Sequence, residues 1–516
     1  MVIEKTNGQQ PIANGQQPTA NSQQPTANGQ QPTANGQQPT AKIGIRVMIF
    51  TSIEFWAFFI VFLTIFALLR RSTRTGMMLY VTIVSLGFFY YANGWLMQTL
   101  PLTALVSWSL TKAMRQYNGS KRKAFLTSII LLDLAPLVYF KYAGFVVFGL
   151  NRMLESNFAL PDIVLPVGIS FYTFQAISYS VDIYRNRFTQ DVSFLEYIFY
   201  LSFFPLLFAG PITRAETFFP QIRRQQPVSE RMLYYGLWLI IIGILKKAVV
   251  ADYIAQYNNW IFDSPLTYSG FENLMGLLGF SMQIYLDFSG YTDISIGMAA
   301  LMGIRLRENF CFPYQSLNVT EFWRRWHISL STWFRDYVYI PLGGNKNGKI
   351  RTGIHCLVTF LLVGIWHGSS IMFALWGLLH GMALVIHKSM QHWLERIPNT
   401  WFTKALCILV TGLFIVCSWA VFRSPDIETA STLFWQIFTN FKPESIPAFW
   451  AMRPTWMLIM VVSGLLLFIR ERYYNRMMIK FIYSPWLMKL LAFAFVVQLA
   501  IEFHTSNITP FLYYNF

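Results

Sequence analysis

Residues 402–422 read FTKALCILVTGLFIVCSWAVF, twenty-one residues carrying one charge, Lys404. The hydrocarbon core of a bilayer is about 30 Å thick, and a helix needs about 20 apolar residues to cross it. Comparable runs recur at Val47–Leu69, Ala124–Leu150, Met232–Val250 and Ile354–Leu379. Counted together with shorter or broken runs, they predict roughly 10–13 membrane segments. The composition agrees. Of 516 residues, 54% are hydrophobic and only 12% charged, where a soluble domain carries roughly a quarter charged. The expected fold is an all-α integral membrane protein with one transmembrane domain over 47–516, some of its segments re-entrant.

Forty Lys and Arg against 24 Asp and Glu give a net charge of +16. In a soluble chain that excess would suggest a nucleic-acid partner. Here the cations gather in short loops between apolar runs, at Arg70, Arg71 and Arg74, at 112–123 and at 223–231, as cytoplasmic loops do. The expected partner surface is therefore membrane lipid, with no nucleic acid. Cys311, Cys356, Cys407 and Cys417 have no CxxC spacing, so free thiols are expected and no metal site.

Residues 7–41 are five heptads of the NGQQPTA type. They hold no charge and no aromatic residue, so the 1–46 tail is expected to be disordered. Its long polar lead does not resemble a secretory signal. Lys42 and Arg46 precede the first apolar run and RRSTR (70–74) follows it. That bias predicts residues 70–76 inside and the tail outside.

Three stretches carry the polar content of the apolar region. Residues 160–185, LPDIVLPVGISFYTFQAISYSVDIYR, open with two prolines and a glycine, the pattern of a broken element enclosed by protein. Residues 285–310 place Asp287 and Asp293 around a Ser-Gly pair, where an aspartate could cap a helix or face a polar site. On a continuous helix, residues 321–339 would carry Arg324, His327, Ser331 and Arg335 on one face. Trp323, Trp326, Leu330, Trp333 and Tyr337 would lie on another. That pattern suits an interfacial helix or the wall of a polar cavity.

His367 stands in an apolar run between Gly364 and Gly368. An ionisable side chain there is costly and by default signals function, the alternative being a histidine bonded to a neighbouring helix. His380, thirteen residues on, would lie about 20 Å away on a continuous helix, too far for a shared metal. HExxH, GxSxG, GxxxxGK[ST] and a histidine with an aspartate five positions later are all absent, which removes several hydrolase and nucleotide-binding readings.

The stretches FWRRWHISLSTWFRDYVYIPLGGNKNG (322–348), GIWHG (364–368), WGLLHG (376–381), YLDFSGYTDISIGMA (285–299), PVGISFYTFQAISYSVDIYR (166–185), FAGPITR (208–214) and PFLYYNF (510–516) together resemble the bacterial membrane-bound O-acyltransferases. Within that family they look most like the alginate O-acetyltransferase membrane subunits. The resemblance implies a helical bundle enclosing a tunnel in the bacterial inner membrane. It implies transfer of an acyl group from a cytoplasmic thioester, acetyl-coenzyme A or another, with no bound cofactor. The acceptor would be a hydroxyl of an extracellular or cell-wall polysaccharide, alginate-like or peptidoglycan, reached directly or through a periplasmic acetyltransferase partner. It also implies that His367 is catalytic and His327 its partner. Trp366, Asp287 and Asp293 would line the donor or substrate site. Arg324, Arg325 and Arg335, with Lys346 and Lys349, would meet an anionic donor.

A neutral imidazole could accept the acceptor's hydroxyl proton or attack the thioester itself. D-alanyl transfer to teichoic acid is an alternative within the same chemistry. A proton-coupled transporter using His327, His367, Asp287 and Asp293 as a relay is an alternative from another class.

Overall fold

The computed structural model describes residue 50 and residues 52–503, apart from 160–162, 208–209, 225–226 and 347. The repeat tail, the closing PFLYYNF and the first two residues of FAGPITR lie outside the described residues.

Every regular element among them is helical. Six helices are long and apolar enough to cross a membrane, and up to eight spans result if each of two sharply bent pairs is counted as one. The sequence suggested 10–13 because several apolar runs become helices buried inside the protein. Ile169–Tyr184 is one, with nearly all its residues buried. It starts only after Gly168, which takes φ 83°, a left-handed value that glycine adopts without strain.

Charge gathers on one face. Arg74 pairs with Glu196, which also accepts from Arg223 at 2.8 Å. Arg115 donates to the carbonyls of Thr189 and Gln190 at 3.1 and 2.6 Å. Arg122 reaches the Ile183 carbonyl at 3.0 Å. The cationic loops at 70–76 and 112–123 therefore share one side of the bundle, the arrangement that the charge bias requires.

The centre is a long hairpin. Its first arm runs through Glu230–Ile244, a π-helical turn Leu245–Ala251 and Asp252–Asp263; the second is Gly270–Leu301. The arms meet through small residues: a Cβ on Gly243 would stand 2.6 Å from the Gly290 carbonyl oxygen. Lipid tails are as apolar as leucine, so close backbone packing rather than hydrophobic burial joins such helices.

A second hairpin, Gly348–His367 with Ile371–Leu394, is built in the same way. The Cα atoms of Gly364 and Gly377 face each other. A Cβ on Gly364 would strike the Phe373 carbonyl, and one on Gly377 the Phe360 carbonyl. Backbone cannot retreat as a side chain can, so Gly377→Ala is expected to cost about 1–3 kcal/mol of stability. Gly412, mid-way along Trp401–Arg423, has open space around its Cβ position, so Gly412→Ala should not lower stability. Melting temperatures of the two detergent-solubilised variants check the contrast.

Candidate active site

His367 is the last residue of its helix. The chain turns through Gly368–Ser370, and the Ser370 hydroxyl accepts from the Met372 amide at 3.2 Å to open the next helix. The turn corrects the expectation of one continuous helix through 357–381. It brings His367 and His380 both against Trp376, with ring centroids 5.2 and 4.7 Å from it. His367 is 3% exposed, walled by Trp366 at 4.7 Å and Phe422 at 5.2 Å as well.

His380 is a structural histidine. The indole of Trp323 donates to its Nδ1 at 3.2 Å, so Nε2 carries the proton and donates to Ser418 at 3.1 Å. Among the described residues no group of three His, Cys, Asp or Glu could hold a metal.

The expected amphipathic helix over 321–339 is broken into Val319–Arg325, Ile328–Phe334 and a π turn Arg335–Tyr339. His327 sits at the first break with φ 40° and ψ 55°, a conformation non-glycine residues adopt only when the surroundings enforce it. Asn309 enforces it. Its carbonyl accepts from the Ile328 amide at 2.9 Å, and its side-chain Oδ1 from the Ser329 amide at 3.0 Å. An amide N–H can only donate, so that Asn309 atom is an oxygen. His327 Nδ1, 3.2 Å from the same oxygen, must then carry the proton.

Nε2 of His327 is left with its lone pair, buried and without a hydrogen-bond partner among the described residues. The His327 ring is fully buried. It packs against Phe288 at 4.7 Å and Trp366 at 6.3 Å. Both histidine rings therefore lie beside Trp366.

The broken helix also scatters the predicted cationic face. Arg324 is exposed, and Arg325 bonds Glu321 at 2.7 Å. Arg335 is 60% exposed and pairs with Asp336, while Lys346 lies exposed on the loop that follows and Lys349 exposed in the first turn of the Gly348–His367 helix. None of these joins His327.

Asp287 and Asp293 are mid-helix, which excludes the capping alternative. Asp287 pairs with Lys247 at 2.5 Å, which Asp252 shares at 2.6 Å, and Asp293 pairs with Lys246 at 2.6 Å. These carboxylates neutralise the lysines of the π turn and join the two arms of the central hairpin.

Sequence reasoning missed two groups. Arg214 and Arg185 lie over the Tyr337 ring at 4.2 and 5.5 Å, and the Tyr337 hydroxyl donates to Asp182 at 2.7 Å. From Tyr337 a run of rings leads inward: Trp333 at 5.2 Å, Phe174 a further 4.1 Å, then Trp366 at 5.6 Å. The second group is Lys141 and Tyr142, which bond the backbone carbonyls of the last turn before Gly368. Nothing in their apolar context marked them beyond the lysine itself.

Residues 83–436 match the model of the membrane-bound O-acyltransferase family. A protein described as a probable alginate O-acetylase, from Pseudomonas syringae pv. tomato, is 37% identical over 314 residues, covering 60% of this chain and 60% of that relative. A peptidoglycan O-acetyltransferase from Helicobacter pylori is 35% identical over 373 residues, 66% of this chain and 70% of the relative. A teichoic acid D-alanyltransferase from Bacillus subtilis is 30% identical over 270 residues, 50% of this chain and 68% of the relative. The chain thus spans about three fifths of the alginate O-acetylase it matches.

Replacing Asn309 by Ala would strand the Ser329 amide inside the protein, at about 1–3 kcal/mol. The same change would free His327 Nδ1. Asn309→Ala should therefore lower the melting temperature, and a nitrogen-15 spectrum of labelled histidine should show His327 as a mixture of tautomers instead of one.

Proposed function

The chain belongs to the membrane-bound O-acyltransferase family, and from that premise we propose that it transfers acetyl groups from a cytoplasmic thioester to hydroxyls of an extracellular or cell-wall polysaccharide. The observation that carries the reading is the pair of buried histidines, His327 and His367, facing one tryptophan. The names of the alginate and peptidoglycan O-acetylating relatives support acetyl as the group and a glycan as the acceptor. D-alanyl transfer is less well supported, since the relatives that carry it match a smaller part of the chain at lower identity. A proton-relay transporter would need Asp287 and Asp293 open to the histidines, and both are occupied by lysines.

In this reading His367 accepts the proton of the attacking hydroxyl. The oxygen forms its bond to the thioester carbon, the carbon–sulfur bond breaks, and the thiolate leaves and takes up a proton. A base positioned in this way contributes roughly 10²–10⁴-fold in rate. His327, with its lone pair on Nε2, orients the donor or shares the proton. Acetyl-coenzyme A or an acylated carrier would enter through a tunnel from the cationic face, where Arg185, Arg214 and Arg335 meet its phosphates. A periplasmic acetyltransferase could take the acetyl group onward. The membrane is the bacterial inner membrane, with the 1–46 tail outside.

Purified variants in liposomes, assayed for acetyl transfer from acetyl-coenzyme A, test the roles. His367→Ala should abolish transfer while the protein still accumulates in the membrane. His327→Gln should leave a measurable remnant, because glutamine keeps a hydrogen-bonding group but cannot carry the proton. Wild-type rates in His367→Ala would remove the assignment. Orientation is tested separately: with the native cysteines replaced, a cysteine at Thr19 should react with an impermeant reagent in whole cells and one at Thr73 should not.

A further inference from the structure

A helix end leaves its last carbonyls without intrahelical donors, and where that end is buried in protein they must find partners on neighbouring elements. The Gly348–His367 helix stops at His367. Its carbonyls at Ile365, Trp366 and His367 are all met from one neighbouring helix, Gly119–Leu154. The Lys141 ammonium donates to the oxygens of Trp366 and His367, the latter at 2.8 Å, and the Tyr142 hydroxyl donates to that of Ile365 at 2.5 Å. The same ammonium lies 5.8 Å from the centre of the Trp366 ring. Among the described residues Lys141 forms no ion pair with a carboxylate. A cation at a helix C-terminus is favoured by the helix dipole, but an apolar helix end could be closed by neutral donors. A lysine in a membrane helix is costly and marks function by default.

We propose that Lys141, assisted by Tyr142, is a positioning residue for acyl transfer. It pins the backbone of the final turn and the face of Trp366 together, so that the His367 ring is held at one angle to the indole and to His327. This rests on the reading of His367 as the proton acceptor. The reach is geometric. The backbone atoms Lys141 holds belong to the two residues whose rings face the reaction, and the turn that follows begins with Gly368, which restrains little. Losing that hold lets the His367 ring swing while leaving donor contacts on the cationic face intact.

The test is initial-rate kinetics of the full chain in liposomes with acetyl-coenzyme A as donor. Lys141→Met should lower kcat about 10²-fold, the scale of a small misplacement of a reacting group, with KM for the donor unchanged. Lys141→Arg, which keeps the charge and the donors, should restore most of kcat. Tyr142→Phe, which removes one neutral hydrogen bond and buries no new charge, should lower kcat about 2–10-fold.

Wild-type kcat in Lys141→Met overturns the proposal, as does a rise in KM alone or an arginine variant no better than methionine. If Lys141→Met fails to accumulate in the membrane, Tyr142→Phe decides: a full kcat overturns the proposal and the expected fall sustains it. His367→Ala, run in parallel, separates the two levels. An active His367→Ala sinks the acid–base reading together with this one, whereas an inactive His367→Ala beside a full-rate Lys141→Met sinks the positioning role alone.

Discussion

Backbone interrupted in a buried interior must be repaired by side chains, and this constraint shapes the centre of the protein. Two interruptions matter, at His327 and just after His367. The first is held by Asn309, whose main chain and side chain accept the amides of Ile328 and Ser329. The second is held by Lys141 and Tyr142. An unbroken helix would point successive side chains around its axis. Stopping it places a histidine at the end of one element with its ring turned inward among neighbours. The breaks explain how two imidazoles from separate parts of the chain come to share Trp366.

Charge in the interior follows the same economy. Lys246 and Lys247 sit in a π turn, where the helix widens by one residue, and three aspartates balance them. Removing one partner of such a set leaves an uncompensated buried charge, typically 3–5 kcal/mol of destabilisation. These groups fix the register of the central hairpin, and Phe288, next to Asp287, is thereby held against His327.

The membrane class was legible from residues such as 402–422, because hydropathy over 20 residues decides crossing without reference to partners. The prominence of His367 was legible for the same reason: an ionisable group in an apolar run needs an explanation wherever it sits. The breaks were not legible. Periodicity places residues on faces only while the helix continues, and the signal that stops it at His327 lies at Asn309, eighteen positions away in sequence. The arginine face predicted for 321–339 failed with that assumption. The roles of Asp287 and Asp293 were hidden because their lysines belong to another helix. Arg185, Arg214 and Lys141 acquire meaning only through Tyr337 and the turn at His367.

The ring of Phe422, which closes one side of His367, comes from the far end of the Trp401–Arg423 helix. Lys141, Asn309, His367 and Phe422 follow one another over most of the chain's length. A ribosome delivers them in that order, so the histidine enters the bilayer before its last wall has been synthesised. The site is therefore completed late in synthesis: a chain that ends between His367 and Phe422 lacks one wall of the centre.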